Sequence, residues 1–376
     1  MGHEAPPLDG IQVLDLTWNL PGPYAGWCLG SLGATVVKVE PPRGDPARMI
    51  GRLFSRVNRG KSSHVLDLRT EEGREQLRQM VAKADVVLEG FRPGVIGRLG
   101  LSPQEALSSN PRLVWCSISA FGQRAPHATE PGHDLNVQAL TGFCDLERLP
   151  GGRPRAAVLP VADLSASLAA VTGIVAALYR RERSGEGAIL DVAMTDVLAD
   201  WTELWSGGSD LLEPLRAGPL GRMASRSLWF ARVARRRLYG LPHYGIFTCA
   251  DGRHLALGVV DEGHFWRALC DVLGLGRLGA LPLPARVALA PALRPLVAAR
   301  LRTATRRTWL QRLRTAGVPV SPVKGCAEAA TDPWLLQRGL GRRAPIPGAV
   351  PPETDAPELG AHDVAAAGYT AEAEGV

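Results

Sequence analysis

Apolar positions in the first half of the chain fall into short β-branched runs separated by stretches with helical spacing. Ile11-Gln-Val-Leu-Asp-Leu16 reads as a strand, and Pro23–Leu32 as a short helix closed by Gly33. Ala34-Thr-Val-Val-Lys-Val-Glu40 is a second strand. Thr70–Ala84 carries a helical pattern with Thr70 placed to cap it and acidic residues in its first turn. Asp85–Glu89 and Leu113–Ser119 read as further strands. Strands alternating with helices predict an α/β fold with a parallel sheet and right-handed crossovers. Such sheets bind ligands beyond the carboxyl ends of their strands.

A long helix pattern follows over Asp163–Arg183, then a strand at Ala188–Val192 and a helix near Thr195–Leu212. Residues 213–240 are rich in Arg and Gly and read as a connector. A new unit begins near His243, with strands Tyr244–Cys249 and His254–Val259 and a helix at Gly263–Leu273. The Ala/Leu/Arg-rich stretch 285–316 reads as helical, and Val318–Val323 as a strand. The predicted organisation is a large domain over 1–212 completed by 330–376, a linker at 213–240, and a smaller α+β domain at 241–329.

Composition narrows the class. Of 376 residues, 45% are hydrophobic and 21% charged, enough to bury a core. The net charge of +6 draws on the segment Arg216–Arg237, but no zinc finger, helix-turn-helix or aromatic-interleaved motif goes with it. No nucleic-acid partner is expected, and a basic surface also suits a small anionic substrate. Apolar stretches such as Leu164–Tyr179 stop short of ~20 residues, so no membrane segment is expected. Met1-Gly-His-Glu-Ala-Pro-Pro7 lacks the charged start of a secretory leader, which leaves the cytoplasm as the expected location. Six scattered cysteines, none in a C-x-x-C pair, argue against a metal site and against a disulfide scaffold.

Few residues invite chemistry on their own. Asp163, in Pro160-Val-Ala-Asp163, stands where the long helix begins. The plain reading is a helix cap. The same place would hold a carboxylate ionised and pointing outward, able to attack a thioester carbonyl. Gly132-His-Asp-Leu-Asn136 sets His133 beside Asp134, a pair modestly suggestive of general-base work, although in a strand the two side chains would face opposite ways. Pro21-Gly-Pro-Tyr24 opens a helix after the first strand without being G-x-G-x-x-G, so a dinucleotide cofactor is not supported. Asn58-Arg-Gly-Lys61 and Phe91–Arg98 place basic residues beside turns, where phosphates can dock.

Taken in order, these motifs resemble the family III CoA-transferases, the CaiB/BaiF superfamily that includes the α-methylacyl-CoA racemases. The matching segments include Leu14-Asp-Leu-Thr17 with Pro21-Gly-Pro-Tyr24, Leu32–Glu40, Gly44-Asp-Pro46, Asn58–Lys61 and Phe91-Arg-Pro-Gly94. They continue through Asn110–Leu113, Gly132–Asn136, Val161-Ala-Asp163, Ser184–Gly187, Ala250–Arg253 and Asp332-Pro333, so the resemblance spans residue 8 to about 342. It implies a Rossmann-like large domain, a smaller domain, and two chains interlocked as a homodimer. It puts Asp163 at the catalytic aspartate, and Phe91 and Arg98 at the adenine and phosphates of CoA. Lys61 is assigned to phosphate binding, and Asn19, Leu20 and Pro21 to the same pocket. No tightly bound cofactor is implied, since CoA enters and leaves as substrate or product beside a carboxylic acid partner.

The branch follows from finer detail. His133 matches the racemase histidine, and Asp261 and Glu262, within Val260–Phe265, both fall where racemases carry a supporting Glu. Asn58–Lys61, Gly317–Val323 and Asp332–Arg338 look transferase-like, and Ser165 and Ser167 replace the glycines that follow the racemase aspartate. The expected activity is therefore transfer of CoA from an acyl-CoA to a carboxylic acid through acylated Asp163. The alternative is α-proton exchange by His133 and Asp163, and the outside alternative a catalytically silent CoA-binding protein.

Overall fold

A computed structural model describes residues 5–124, 126–147, 153–206, 241–339, 344–352 and 354–361. The chain forms two compact units, Met1–Trp205 with Gly339–Val376, and Ser206–Arg338. The connector expected at 213–240 lies outside the described residues.

The first unit is built on six parallel strands. In chain order its elements are β1 (Gln12–Asp15), α1 (Pro21–Ser31), β2 (Thr35–Glu40), α2 (Gly51–Val57), β3 (Ser62–Val65) and α3 (Glu71–Lys83). Then come β4 (Val86–Glu89), α4 (Val95–Arg98), α5 (Pro103–Ser109), β5 (Val114–Ser119), α6 (Asp134–Leu140), α7 (Phe143–Leu146), α8 (Val161–Ser184), β6 (Ala188–Ala193) and α9 (Met194–Ser206). The strand order is β3-β2-β1-β4-β5-β6, with every pairing parallel. The order reverses between β1 and β4, and a crevice opens at such a point beyond the carboxyl ends of the strands.

Alternation along the strands sends side chains to two cores. Val13, Val36, Val86 and Val114 pack under α1 and α8, whereas Leu14, Val37, Val87 and Trp115 pack under α3 and α5. Thr70 caps α3 as its sequence predicts, its hydroxyl accepting from the Gly73 N–H. The sequence reading missed β3, because Ser62-Ser-His-Val65 is short and polar. Its Ser63 and His64 are nonetheless buried, and it pairs with β2 from Val37↔Ser62 to Glu40↔Val65.

The helix α8 is 24 residues long, more than the apolar stretch suggests, and by length and composition it could cross a membrane. In this fold Ala162, Ala166, Ala170, Ile174 and Leu178 sit in the core with α1. Small residues on α8 let α1 approach closely. Gly22 lets the start of α1 fold against the loop that precedes it, since a Cβ there would lie 2.2 Å from the Thr17 side chain.

The second unit carries a three-stranded antiparallel sheet of β7 (Tyr244–Thr248), β8 (His254–Gly258) and β9 (Val320–Pro322). Leu255, Leu257, Trp266, Leu269, Leu301 and Leu313 form its core. The stretch 285–316 is not one helix. It breaks into Leu283–Ala288, Ala290–Leu301 and Arg306–Thr315, with a Pro near the start of the first two and Thr305 capping the third.

Candidate active site

Asp163 is the third residue of α8 and does not cap it. The capping residue is Pro160, which has no side-chain acceptor to offer. Asp134 takes over that role from α6. Its Oδ1 accepts from the backbone N–H of Ala162 at 2.7 Å and of Asp163 at 3.2 Å. Its other oxygen accepts from the Gln138 side chain, whose own Oε1 accepts from Ala157 N–H. The free donors at the start of α8 are thus spent on Asp134 rather than on Asp163.

The expectation that the helix start keeps Asp163 ionised is therefore corrected. Burial, and after it the charge of Asp134, push the Asp163 carboxyl from 3.8 up to about 7. Ser167, one turn further along α8, has its hydroxyl 2.7 Å from both Pro21 O and Asp163 O, tying this turn to the start of α1.

His133 and Asp134 do not lie in a strand, so the opposite-face expectation also fails. His133 is the extended residue before α6, and Asp134 is the first residue of that helix. His133 is exposed and its N–H donates to Asn136 Oδ1 at 3.0 Å. Because Asp134 grips the Asp163 N–H, His133 and Asp163 stand at two adjoining helix starts.

A pocket of about 470 Å3 opens past the ends of β1 to β4. Leu16, Val39, Leu66, Phe91 and Leu99 give it apolar walls, and Trp18, Arg43 and Arg69 also line it. Trp18 meets Phe91 edge to face, with ring centroids 6.3 Å apart, and Arg43 lies 5.6 Å from the Trp18 ring centre. Buried Glu89 holds the Phe91 N–H at 2.8 Å. An apolar slot edged by Arg43, and by Arg69 paired with Asp67 at 2.7 Å, fits a flat base attached to phosphates. The sequence reading missed Trp18, Arg43 and Arg69, which come from three separate strand ends and share no motif.

Of the residues assigned to CoA from the sequence, Phe91 lines this pocket. Arg98 is exposed on α4, immediately before the lining residue Leu99. Asn19, Leu20 and Pro21 follow the lining residue Trp18 and lead into α1. Lys61 is a correction. It is only 3% exposed, and its ammonium is held by Asp15 at 2.7 Å, Pro23 O at 2.8 Å and Asn58 at 2.9 Å. All three donors are used, so none is left for a phosphate.

Asp261 and Glu262 belong to the second unit. Glu262 caps the helix Gly263–Val272 without a side-chain bond to it and accepts instead from Val260 N–H at 2.9 Å. The Asp261 carbonyl accepts from buried Arg286 at 2.9 Å.

Sequence comparison gives the class, an enzyme of CoA transfer, and then the family. The profile described as CoA-transferase family III matches residues 8–362, and the chain belongs to that family. It is 36% identical over 351 residues to the acetyl-CoA:oxalate CoA-transferase of Acetobacter aceti, covering 89% of this chain and 85% of that one. It is 34% identical over 273 residues to human α-methylacyl-CoA racemase, covering 71% and 65%. A CAIB/BAIF family protein from Brucella suis has a similar structure, with TM-score 0.78 at 30% identity over 96% of this chain and 98% of that one.

Proposed function

We propose that this CoA-transferase works through Asp163 as a covalent nucleophile. The observation that carries the reading is a half-buried carboxyl in the first turn of α8, with its backbone N–H held by Asp134 at 3.2 Å. The ionised form attacks the thioester carbonyl of an acyl-CoA. The C–S bond breaks, CoA leaves as thiolate, and Asp163 holds the acyl group as a mixed anhydride. Thiolate attack on the Asp163 side of that anhydride frees the donor acid and leaves CoA as an aspartyl thioester. The acceptor carboxylate then attacks this thioester, and CoA returns to the new anhydride to release the product acyl-CoA. The slot lined by Trp18, Arg43, Arg69 and Phe91 takes the adenine end of CoA, with Arg98 at its rim toward phosphate.

Asp163→Ala is expected to lower turnover by roughly 10³-fold or more with the fold intact. Hydroxylamine should trap an Asp163 hydroxamate in wild type only. A folded Asp163→Ala protein with near-normal transfer would sink this reading.

The position of His133 at the helix start next to that of Asp163 favours a second reading, exchange of the α-proton of a 2-methylacyl-CoA between the two side chains. We also propose a homodimer. Val158 is 98%, Leu204 72% and Leu140 61% exposed in the first unit, apolar side chains of the kind that a second copy would cover.

A further inference from the structure

A chain of buried charges lies beneath the loop from β1 to α1. Lys38 and Asp45 are 0% and 1% exposed and pair at 2.9 Å. Asp15 and Lys61 form a second buried pair at 2.7 Å. Burying ions costs several kcal/mol apiece, and such pairs rarely stabilise a fold beyond what apolar residues of similar size would do.

Several partners of these ions lie on the loop or at the start of α1. Lys38 donates to Thr17 O at 2.8 Å. Asp15 accepts from the Thr17 N–H at 3.0 Å and from its hydroxyl. Asp45 Oδ1 accepts from Asn19 N–H at 3.1 Å and from Ala47 N–H at 2.8 Å. Lys61 holds Pro23 O at 2.8 Å. Asn19 has φ +63°, the one non-glycine residue among those described with a positive φ. Asparagine tolerates that conformation better than most residues, but it still needs support.

We infer that the buried Lys38–Asp45 pair is a positioning device that fixes the Thr17–Pro21 loop in its CoA-binding conformation before any ligand arrives. The inference rests on the reading of Asn19–Pro21 as part of the CoA site. Lys38 and Asp45 touch no substrate and act through the loop. Asp45 is itself steadied by Glu40, which accepts from the Asp45 N–H at 2.9 Å and binds Arg48 at 2.6 Å. A loop fixed in advance avoids the loss of affinity that comes when only a fraction of molecules is competent to bind.

The test compares two double variants in which no unpaired buried charge remains. Lys38→Met/Asp45→Asn keeps an oxygen for the Asn19 N–H, and Lys38→Met/Asp45→Leu removes it. The Leu variant is expected to raise the KM for acyl-CoA by about tenfold or more with a smaller change in kcat, as the competent fraction of the loop falls to roughly one in ten. The Asn variant should fall between it and wild type. Hydrogen exchange supplies a readout independent of activity and of the Leu variant's folding. Amides of residues 17–20 in ligand-free wild type should be protected, and that protection should drop in either variant that folds. Free exchange of this loop in wild type until CoA is added would overturn the inference. So would an unchanged KM in a folded Leu variant. Failure of wild type to bind CoA would instead refute the assignment of the site, while the exchange data would still report on the clamp.

Discussion

Replacing Asp134 by Asn separates the two causes of the unusual Asp163 carboxyl. Asn keeps an oxygen for the N–H groups of Ala162 and Asp163 and removes the negative charge next to the Asp163 carboxyl. It also sets an amide against the Gln138 amide, at the cost of one hydrogen bond. The Asp163 carboxyl stands roughly three pH units above its ordinary 3.8, at about 7, and burial is the larger cause. The charge of Asp134 therefore carries less than half of the rise. In Asp134→Asn the titration should move down by about one pH unit and stay well above that of a solvated Asp. The assay is the pH dependence of kcat/KM, which reports the free enzyme, alongside carbon NMR of labelled aspartate. Wild type should gain activity through pH 7, and the variant should reach its plateau about one unit earlier. An unmoved midpoint would refute the role of the Asp134 charge, and a fall to the ordinary Asp range would refute the primacy of burial. Stability runs the other way. The folded pKa lies above the unfolded one, so the fold favours the neutral acid. Raising pH from about 4 to about 7 removes that advantage, at most about 4 kcal/mol.

Three further outcomes follow from the site. His133→Ala should keep substantial CoA transfer if Asp163 alone carries the acyl group. Fast, His133-dependent entry of deuterium into a 2-methylacyl-CoA, with no transfer to any carboxylic acid, would replace transferase by racemase. Arg98→Ala should weaken CoA binding by about 1.5–3 kcal/mol with little effect on melting, and calorimetry showing unchanged affinity would remove Arg98 from the site. Sedimentation at micromolar concentration should find a dimer, and an active monomer would contradict the proposed assembly.

The sheet was largely legible because β1, β2, β4 and β5 are apolar and β-branched, with turn residues between them. β3 escaped because pairing with β2, rather than side-chain character, buries Ser63 and His64. In the site, Asp163 could be located but not its electrostatics. Sequence placed a carboxylate at a helix start, whereas the donors there belong to Asp134, 29 residues earlier. Lys61 looked like a surface cation beside a turn. Nothing local in Asn58-Arg-Gly-Lys61 tells that Asp15, 46 residues away, waits for it inside. The pocket beyond the strand ends is likewise a product of topology, since Trp18, Arg43, Arg69 and Phe91 meet only because four strand ends converge.

Trp18 also gives the slot an optical property. Its indole is partly exposed, edge-on to Phe91 and beneath Arg43, whereas Trp27, Trp115, Trp266 and Trp309 are sealed in cores. A purine entering the slot would exchange water for a stacked ring at this one indole and leave those four in unchanged surroundings. Under the proposed CoA reading, occupancy would be written into the intrinsic emission of the protein, and Trp18→Phe would silence that signal while keeping an aromatic wall.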